Sequence, residues 1–218
     1  EHQDEVLLFR MGDFYETFDD DAKVIARDLD IALTSRAFGR GTKHPLAGIP
    51  YHALDTYLTR LIKAGHKVAI CEQTSDPATS KGIVDRAVMR VVTPGTIVEP
   101  SLLDERANNY LMSVVVDGEE AGLAYTDVST SSVVWVTQTT LSLLPLELAR
   151  LSPAEVVVSK ENGGTLFSNY RVALQENGAF HLEDSRRFLL EHLGVTTLEG
   201  YGCERLPLAV RAAGGLFV

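Results

Sequence analysis

The chain has 218 residues, 45% of them hydrophobic, and a formal net charge of −10, which suits one large folded domain or two of ordinary size. No apolar run approaches the ~18 residues of a membrane span, and the acidic start at Glu1, Asp4 and Glu5 lacks the basic-then-apolar plan of a signal peptide. That excludes a helical membrane protein and leaves a cytoplasmic one with no membrane partner as the expectation. Only Cys71 and Cys203 are present, too few for a disulfide framework and without a neighbouring ligand cluster, so both are expected as free thiols.

Val6 to Met11 is a short apolar run ending at Gly12, and Asp13 to Phe18 continues it in alternation, so two strands are predicted here. The period then changes. Phe18, Ala22, Ile25, Ala26 and Leu29 recur at helical spacing behind Asp19, Asp20 and Asp21, acids that suit a helix cap and first turn. Ile31 to Thr34 reads as a strand, and Gly39-Arg40-Gly41-Thr42-Lys43 as a glycine-rich basic loop. Leu54, Tyr57, Leu58, Leu61 and Ile62 predict a second helix stopped by Gly65. Strands over Lys67 to Glu72 and Val88 to Val92 follow.

Pro94-Gly95, Pro100 and the polar stretch to Asn109 mark a boundary, giving domains at 1–97 and 110–218 joined by a linker at 98–109. Beyond it, Leu111 to Val116, Gly122 to Val128 and Ser132 to Thr137 read as three strands, the first two joined by an Asp117-Gly118-Glu119-Glu120 hairpin turn. Leu141 to Leu151 reads as a helix and Ala154 to Ser159 as a strand. A short strand near Tyr170 to Leu174 and helices over Glu183 to Leu193 and Leu206 to Ala213 complete the chain. The fold class is α/β: a mixed-sheet domain with flanking helices, then a meander that passes into parallel strands. The ending Gly214-Gly215-Leu216-Phe217-Val218 and the missing initial Met read as a piece of something longer.

The net charge argues at first against a nucleic-acid partner, because duplex binding draws much of its affinity from cations that replace counterions. The charge is uneven, however. Residues 98–218 hold 8 basic and 16 acidic side chains, while residues 36–90 hold 9 basic against 4 acidic, a local excess able to face phosphates. In Gly12-Asp13-Phe14-Tyr15-Glu16, an aromatic and a carboxylate two residues apart on extended backbone point the same way. A free Phe14 could wedge between base pairs, and Glu16 beside it could bond the edge of a displaced base. Tyr15 faces the other way and is expected to pack.

Five ordered blocks carry a resemblance. Leu7-Leu8-Phe9-Arg10-Met11-Gly12-Asp13-Phe14-Tyr15-Glu16, Pro45-Leu46-Ala47-Gly48-Ile49-Pro50-Tyr51-His52, Ala69-Ile70-Cys71-Glu72-Gln73, Asp76-Pro77-Ala78-Thr79-Ser80-Lys81-Gly82 and Val92-Thr93-Pro94-Gly95-Thr96 resemble, in order and spacing, the N-terminal region of the MutS family of DNA mismatch-repair proteins. The resemblance implies a mismatch-recognition domain followed by a ribonuclease-H-like connector domain. It implies that Phe14 enters the minor groove at a mispair and that Glu16 contacts the displaced base. If the base offers a ring nitrogen, the carboxyl must be protonated to donate, which nearby phosphates favour. A wedge selects mispairs because unstacking, roughly a few kcal/mol, costs least where pairing is already defective.

Arg36, Arg40, Lys43, Lys81, Arg86 and Arg90 are candidate phosphate contacts that position rather than specify; neutralising a true contact reduces the salt slope by about one. Ser35 is neutral at a position that is often basic in relatives, which implies fewer phosphate contacts. The family further implies a homodimer clamping mismatched double-stranded DNA, a MutL-like partner reached through the connector, and ATP and magnesium bound elsewhere in the full-length protein. No catalytic residue, cofactor or metal is expected within these residues, so the chain reads as a binding unit and not an enzyme. Two alternatives differ in class: a metal-dependent nuclease built on Asp127 and Glu147, and a protein-interaction module that binds no DNA at all. No phosphate-loop motif is present in Gly39 to Lys43 or Ser75 to Lys81.

Overall fold

The computed structural model describes residues 5–38, 41–74, 86–104, 107–130, 133–162 and 165–217, and the chain divides into two compact units, Glu1–Pro94 and Gly95–Val218. The first contains a six-stranded mixed sheet in the order β3-β4-β2-β1-β5-β6. β1 (Val6–Met11) and β2 (Phe14–Phe18) form a hairpin in which Met11 faces Phe14 across a two-residue turn. Gly12 takes φ +62 there, a conformation open to glycine at little steric cost. β1 runs parallel to β5 (Val68–Gln73), which pairs antiparallel with β6 (Arg86–Val92).

Helix α1 (Asp19–Leu29) buries Ala22, Ile25 and Leu29, and α2 (Leu54–Lys63) buries Leu58, Leu61 and Ile62. These positions have the helical period read from the sequence. Together with Leu8, Ile49 and Val68 they supply much of this unit's core. The three acids lie in the first turn of α1, as expected, but none caps it: the N-cap is Phe18, without a side-chain cap bond, and Asp21 accepts the Leu7 backbone N–H at 3.0 Å, tying the helix to β1. Two histidines sit on acids, His44 Nδ1 at 2.9 Å from Asp19 and His66 Nε2 at 2.6 Å from Asp28.

The sequence reading misplaces the strand after α1. It lies at β3 (Thr34–Phe38) rather than Ile31 to Thr34, and it pairs with a nine-residue β4 (Thr42–Pro50) that begins inside the predicted basic loop. Proline argues against an interior strand, but Pro45 lies one residue past the last β2–β4 pair, Phe18↔Leu46, and Pro50 ends the strand.

The second unit has a five-stranded sheet in the order β11-β10-β7-β8-β9. β7 (Tyr110–Asp117), β8 (Glu120–Asp127) and β9 (Trp135–Thr140) form the expected antiparallel meander; β10 (Glu155–Ser159) joins β7 in parallel, and β11 (Val172–Gln175) joins β10 likewise. This meander followed by parallel strands is the arrangement that a ribonuclease-H-like connector requires. β9 lies three residues beyond its predicted start, because Trp135 is the first residue to pair with β8 and the polar Thr137 to Thr140 complete the ladder on a sheet edge. Helices α3 (Leu144–Leu151), α4 (Leu182–Leu193) and α5 (Pro207–Leu216) cover the sheet. α5 crosses β8 so closely at Gly122 that its backbone occupies the space a side chain would need. Cys71 and Cys203 are both free and buried, one in each unit. Among the described residues no helix is long and apolar enough to cross a membrane.

Candidate nucleic-acid interface

The alternation along β2 sorts its side chains cleanly. Tyr15 and Thr17 are buried, whereas Phe14, at the head of the strand, keeps 47% of its surface exposed. Leaving that much of a Phe ring in water forgoes part of the ~2 kcal/mol that full burial provides. Phe14 and Glu16 share a face with Pro50 and Gly48 of β4, their direct cross-strand partners.

The turn below Phe14 is held at both of its residues. Arg10 Nε donates to Gly12 O at 2.6 Å, and the Tyr51 backbone N–H donates to Asp13 O at 3.0 Å. The Arg10 guanidinium also lies over the Tyr51 ring, 3.9 Å from its centroid, and 5.5 Å from that of Tyr15, within the ~6 Å at which a cation is attracted to a ring face. Arg10 and Tyr51 were missed as site residues in the sequence reading. The available signal was that both fall inside the blocks carrying the family resemblance; their meeting depends on β4 returning to β2.

Tyr15 anchors the hairpin from the buried side by donating its hydroxyl to Glu72 of β5. Burial pushes the Tyr15 phenol up to about 12, with the hydrogen bond to Glu72 and its negative charge adding to the rise and Arg10 opposing it. The phenol therefore stays neutral and donating through the physiological range.

Glu16 is not the solvated strand-end acid that its position would allow. Its side chain is 14% exposed, and Arg36 Nη1 donates to its Oε2 at 2.8 Å from β3, two strands away. Arg36 keeps 45% of its side chain exposed. Of the other expected phosphate contacts, Arg86 lies beside the hairpin, its Nε donating to Arg10 O at 3.3 Å. Lys43 is exposed, but its register opposite Ala37 puts it on the face away from Glu16. Arg90 is half-buried opposite Ile70, where a register shift in the β5–β6 pair turns it to the side of Leu8 and Ile70. Arg40 and Lys81 lie outside the described residues.

In the second unit, Asp127 ends β8 in a buried position. It accepts the backbone N–H groups of Asn109 and Ser129, each at 3.0 Å, and the Ser129 hydroxyl at 2.6 Å. Burial pushes its carboxyl up, but the bonds from Ser129, Asn109 and Thr130 outweigh burial and leave it below the ordinary carboxylate range. Glu147 pairs with Arg150 at 2.7 Å on α3. Both acids thus have structural partners, and among the described residues no three His, Cys, Asp or Glu side chains gather as a metal site.

The two mixed α/β units match two consecutive domain families: residues 1–101 match the family described as MutS domain I, and residues 109–217 match MutS domain II. The chain belongs to the MutS family. It is 49% identical over 213 residues, 97% of its length, to the DNA mismatch repair protein MutS of Dehalococcoides mccartyi (strain CBDB1), and 45% identical over 229 residues, 98% of its length, to that of Methanococcoides burtonii. To the MutS protein of Synechococcus elongatus it is 44% identical over 236 residues, 99% of its length. It spans about a quarter of the length of these relatives, 25% of the first two and 27% of the third.

Proposed function

We propose that this chain recognises mispaired or unpaired bases in duplex DNA as the leading part of a mismatch-repair protein. Phe14 acts as the minor-groove wedge and Glu16 as the contact to the displaced base. The observation that carries this reading is the half-exposed Phe14 ring, standing on a turn fastened at Gly12 and Asp13 and sharing a face with a carboxylate. A wedge needs an apolar surface free to enter a base step and a support stiff enough to transmit the unstacking force. Arg36 and Arg86, with Arg40 and Lys81, contribute the sequence-independent attraction to phosphates, whereas Lys43 and Arg90 face away from Phe14 and Glu16. In the longer protein, a second copy would close the clamp, an ATP- and magnesium-binding domain would couple recognition to signalling, and the second unit would meet a MutL-like partner.

The test is Phe14→Ala within a full-length MutS polypeptide, since avidity from the second copy raises binding into a measurable range. Affinity for a single mispair and for matched duplex is compared at one salt concentration. The preference for the mispair is expected to fall by at least tenfold, about 1.4 kcal/mol, with matched-duplex binding changed much less. A Phe14→Ala protein that prefers the mispair as strongly as its parent would refute the wedge.

A further inference from the structure

The Arg36–Glu16 ion pair lies on the face that carries Phe14 and occupies the carboxylate needed for base contact. We propose that Arg36 is a positioning residue that withholds Glu16 from DNA until a displaced base competes for it. In the unbound chain the guanidinium holds the carboxylate; on any duplex it also engages a neighbouring phosphate, and only at a mispair does it release the carboxylate as Glu16 turns to the base. This inference rests on the DNA-binding reading above.

Three features support an exchangeable contact over a fixed brace. β4 lies between the two partners, and its residue opposite Glu16 is Gly48, which presents no side chain in the path. A Cβ at Gly48 would stand 3.5 Å from Glu16 Cγ and 3.2 Å from Tyr15 O, so the site is fitted to an absent side chain. The exposures are also unequal: the carboxylate is 14% exposed and the guanidinium 45%, so a second anion can reach Arg36 while it still holds Glu16. A guanidinium has five N–H donors in a planar fork, enough to engage a phosphate oxygen before releasing the carboxylate. Because the guanidinium side of the pair is half-exposed, the contact is screened more than a buried one and can yield to a better partner.

The consequence concerns discrimination. While paired, Glu16 presents little net charge to the phosphates of matched duplex; bared, it would repel them. Arg36→Gln removes one phosphate contact, which weakens matched and mispaired binding alike, and bares Glu16, which weakens matched binding further. The preference for the mispair is therefore expected to rise by about threefold or more, the coupling expected of directly paired side chains. In a Glu16→Gln background, Arg36→Gln should weaken both substrates by one common factor, and Arg36→Lys alone should stay near the parent ratio.

The measurement is a double-mutant cycle on a full-length MutS polypeptide, titrating matched and single-mispair duplexes at fixed salt, with Phe14→Ala run alongside. An unchanged ratio for Arg36→Gln, or the same rise when Glu16 is already Gln, overturns the proposal. If Phe14→Ala loses the preference while the Arg36 and Glu16 effects simply add, this inference alone fails. If Phe14→Ala keeps the preference, the reading beneath it fails as well.

Discussion

Substituting alanine for Gly122 places a methyl carbon 2.1 Å from the carbonyl carbon of Leu208, 2.2 Å from its oxygen and 2.5 Å from the Ala209 nitrogen. Non-bonded carbons sit comfortably at about 3.5–4 Å, so α5 must move away from β8 by roughly 1.5 Å. All three atoms are backbone, and no rotamer change relieves the clash. The helix that must move buries Leu208, Ala209, Val210, Ala212 and Ala213, so the displacement opens much of the packing on that side of the sheet. Overpacking costs typically 1–3 kcal/mol and occasionally more; a rigid obstacle puts Gly122→Ala at about 3 kcal/mol. At about 3–4 °C per kcal/mol for a domain of this size, the melting transition of the second unit should fall by about 10 °C. Gly178→Ala is the control, since its Cβ meets nothing within 4 Å and its φ is ordinary, and it should melt within a few degrees of the parent. Calorimetry or circular dichroism on the whole chain would check both. A Gly122→Ala protein as stable as Gly178→Ala would refute the claim that helix and strand touch backbone to backbone there.

Two further predictions concern ionisable groups. Tyr15→Phe leaves Glu72 without its hydroxyl donor and should cost about 1–2 kcal/mol in denaturant titrations. Because the folded phenol is pushed up to about 12 from 10.0, its stabilising contribution is complete below about pH 10 and lost as pH rises toward 12; alkaline melts should show that decline in the parent and not in Tyr15→Phe. For Asp127, whose folded carboxyl lies below its ordinary value through the bonds from Ser129, Asn109 and Thr130 despite burial, the sign is opposite: stability is present above about pH 4 and lost as pH falls. Asp127→Asn should cost about 2 kcal/mol at neutral pH and flatten the acid limb of a pH–stability curve.

Elements whose order depends on local pattern were legible in the sequence. The period of Ala22, Ile25 and Leu29 and that of Leu58, Leu61 and Ile62 marked α1 and α2 close to their true bounds, and Gly118 marked the β7–β8 turn. The alternation of Phe14, Tyr15 and Glu16 correctly put Tyr15 inside and the other two together. The β3–β4 hairpin was not legible, because Pro45 and Pro50 oppose strand formation locally and are tolerated only where β2 has already ended or β4 stops. β9 was set early because its polar second half lies on a sheet edge, where hydrophobic alternation is no guide. The contacts that define the site are non-local in the same sense. Arg36 reaches Glu16, Tyr15 reaches Glu72 and Tyr51 reaches Asp13 only because the sheet runs β3-β4-β2-β1-β5, an order that periodicity does not encode.

The doubly fastened Gly12-Asp13 turn bears on the thermodynamics of any encounter made through Phe14. A ring on a wagging loop must be frozen at the moment of association, and immobilising one such side chain and its support opposes binding by roughly 0.5–1.5 kcal/mol. Here Arg10 and the Tyr51 amide restrict that motion during folding, so a ligand meets a tip already oriented. Loosening the turn should therefore weaken association chiefly through entropy, even with every atom of the ring still in place.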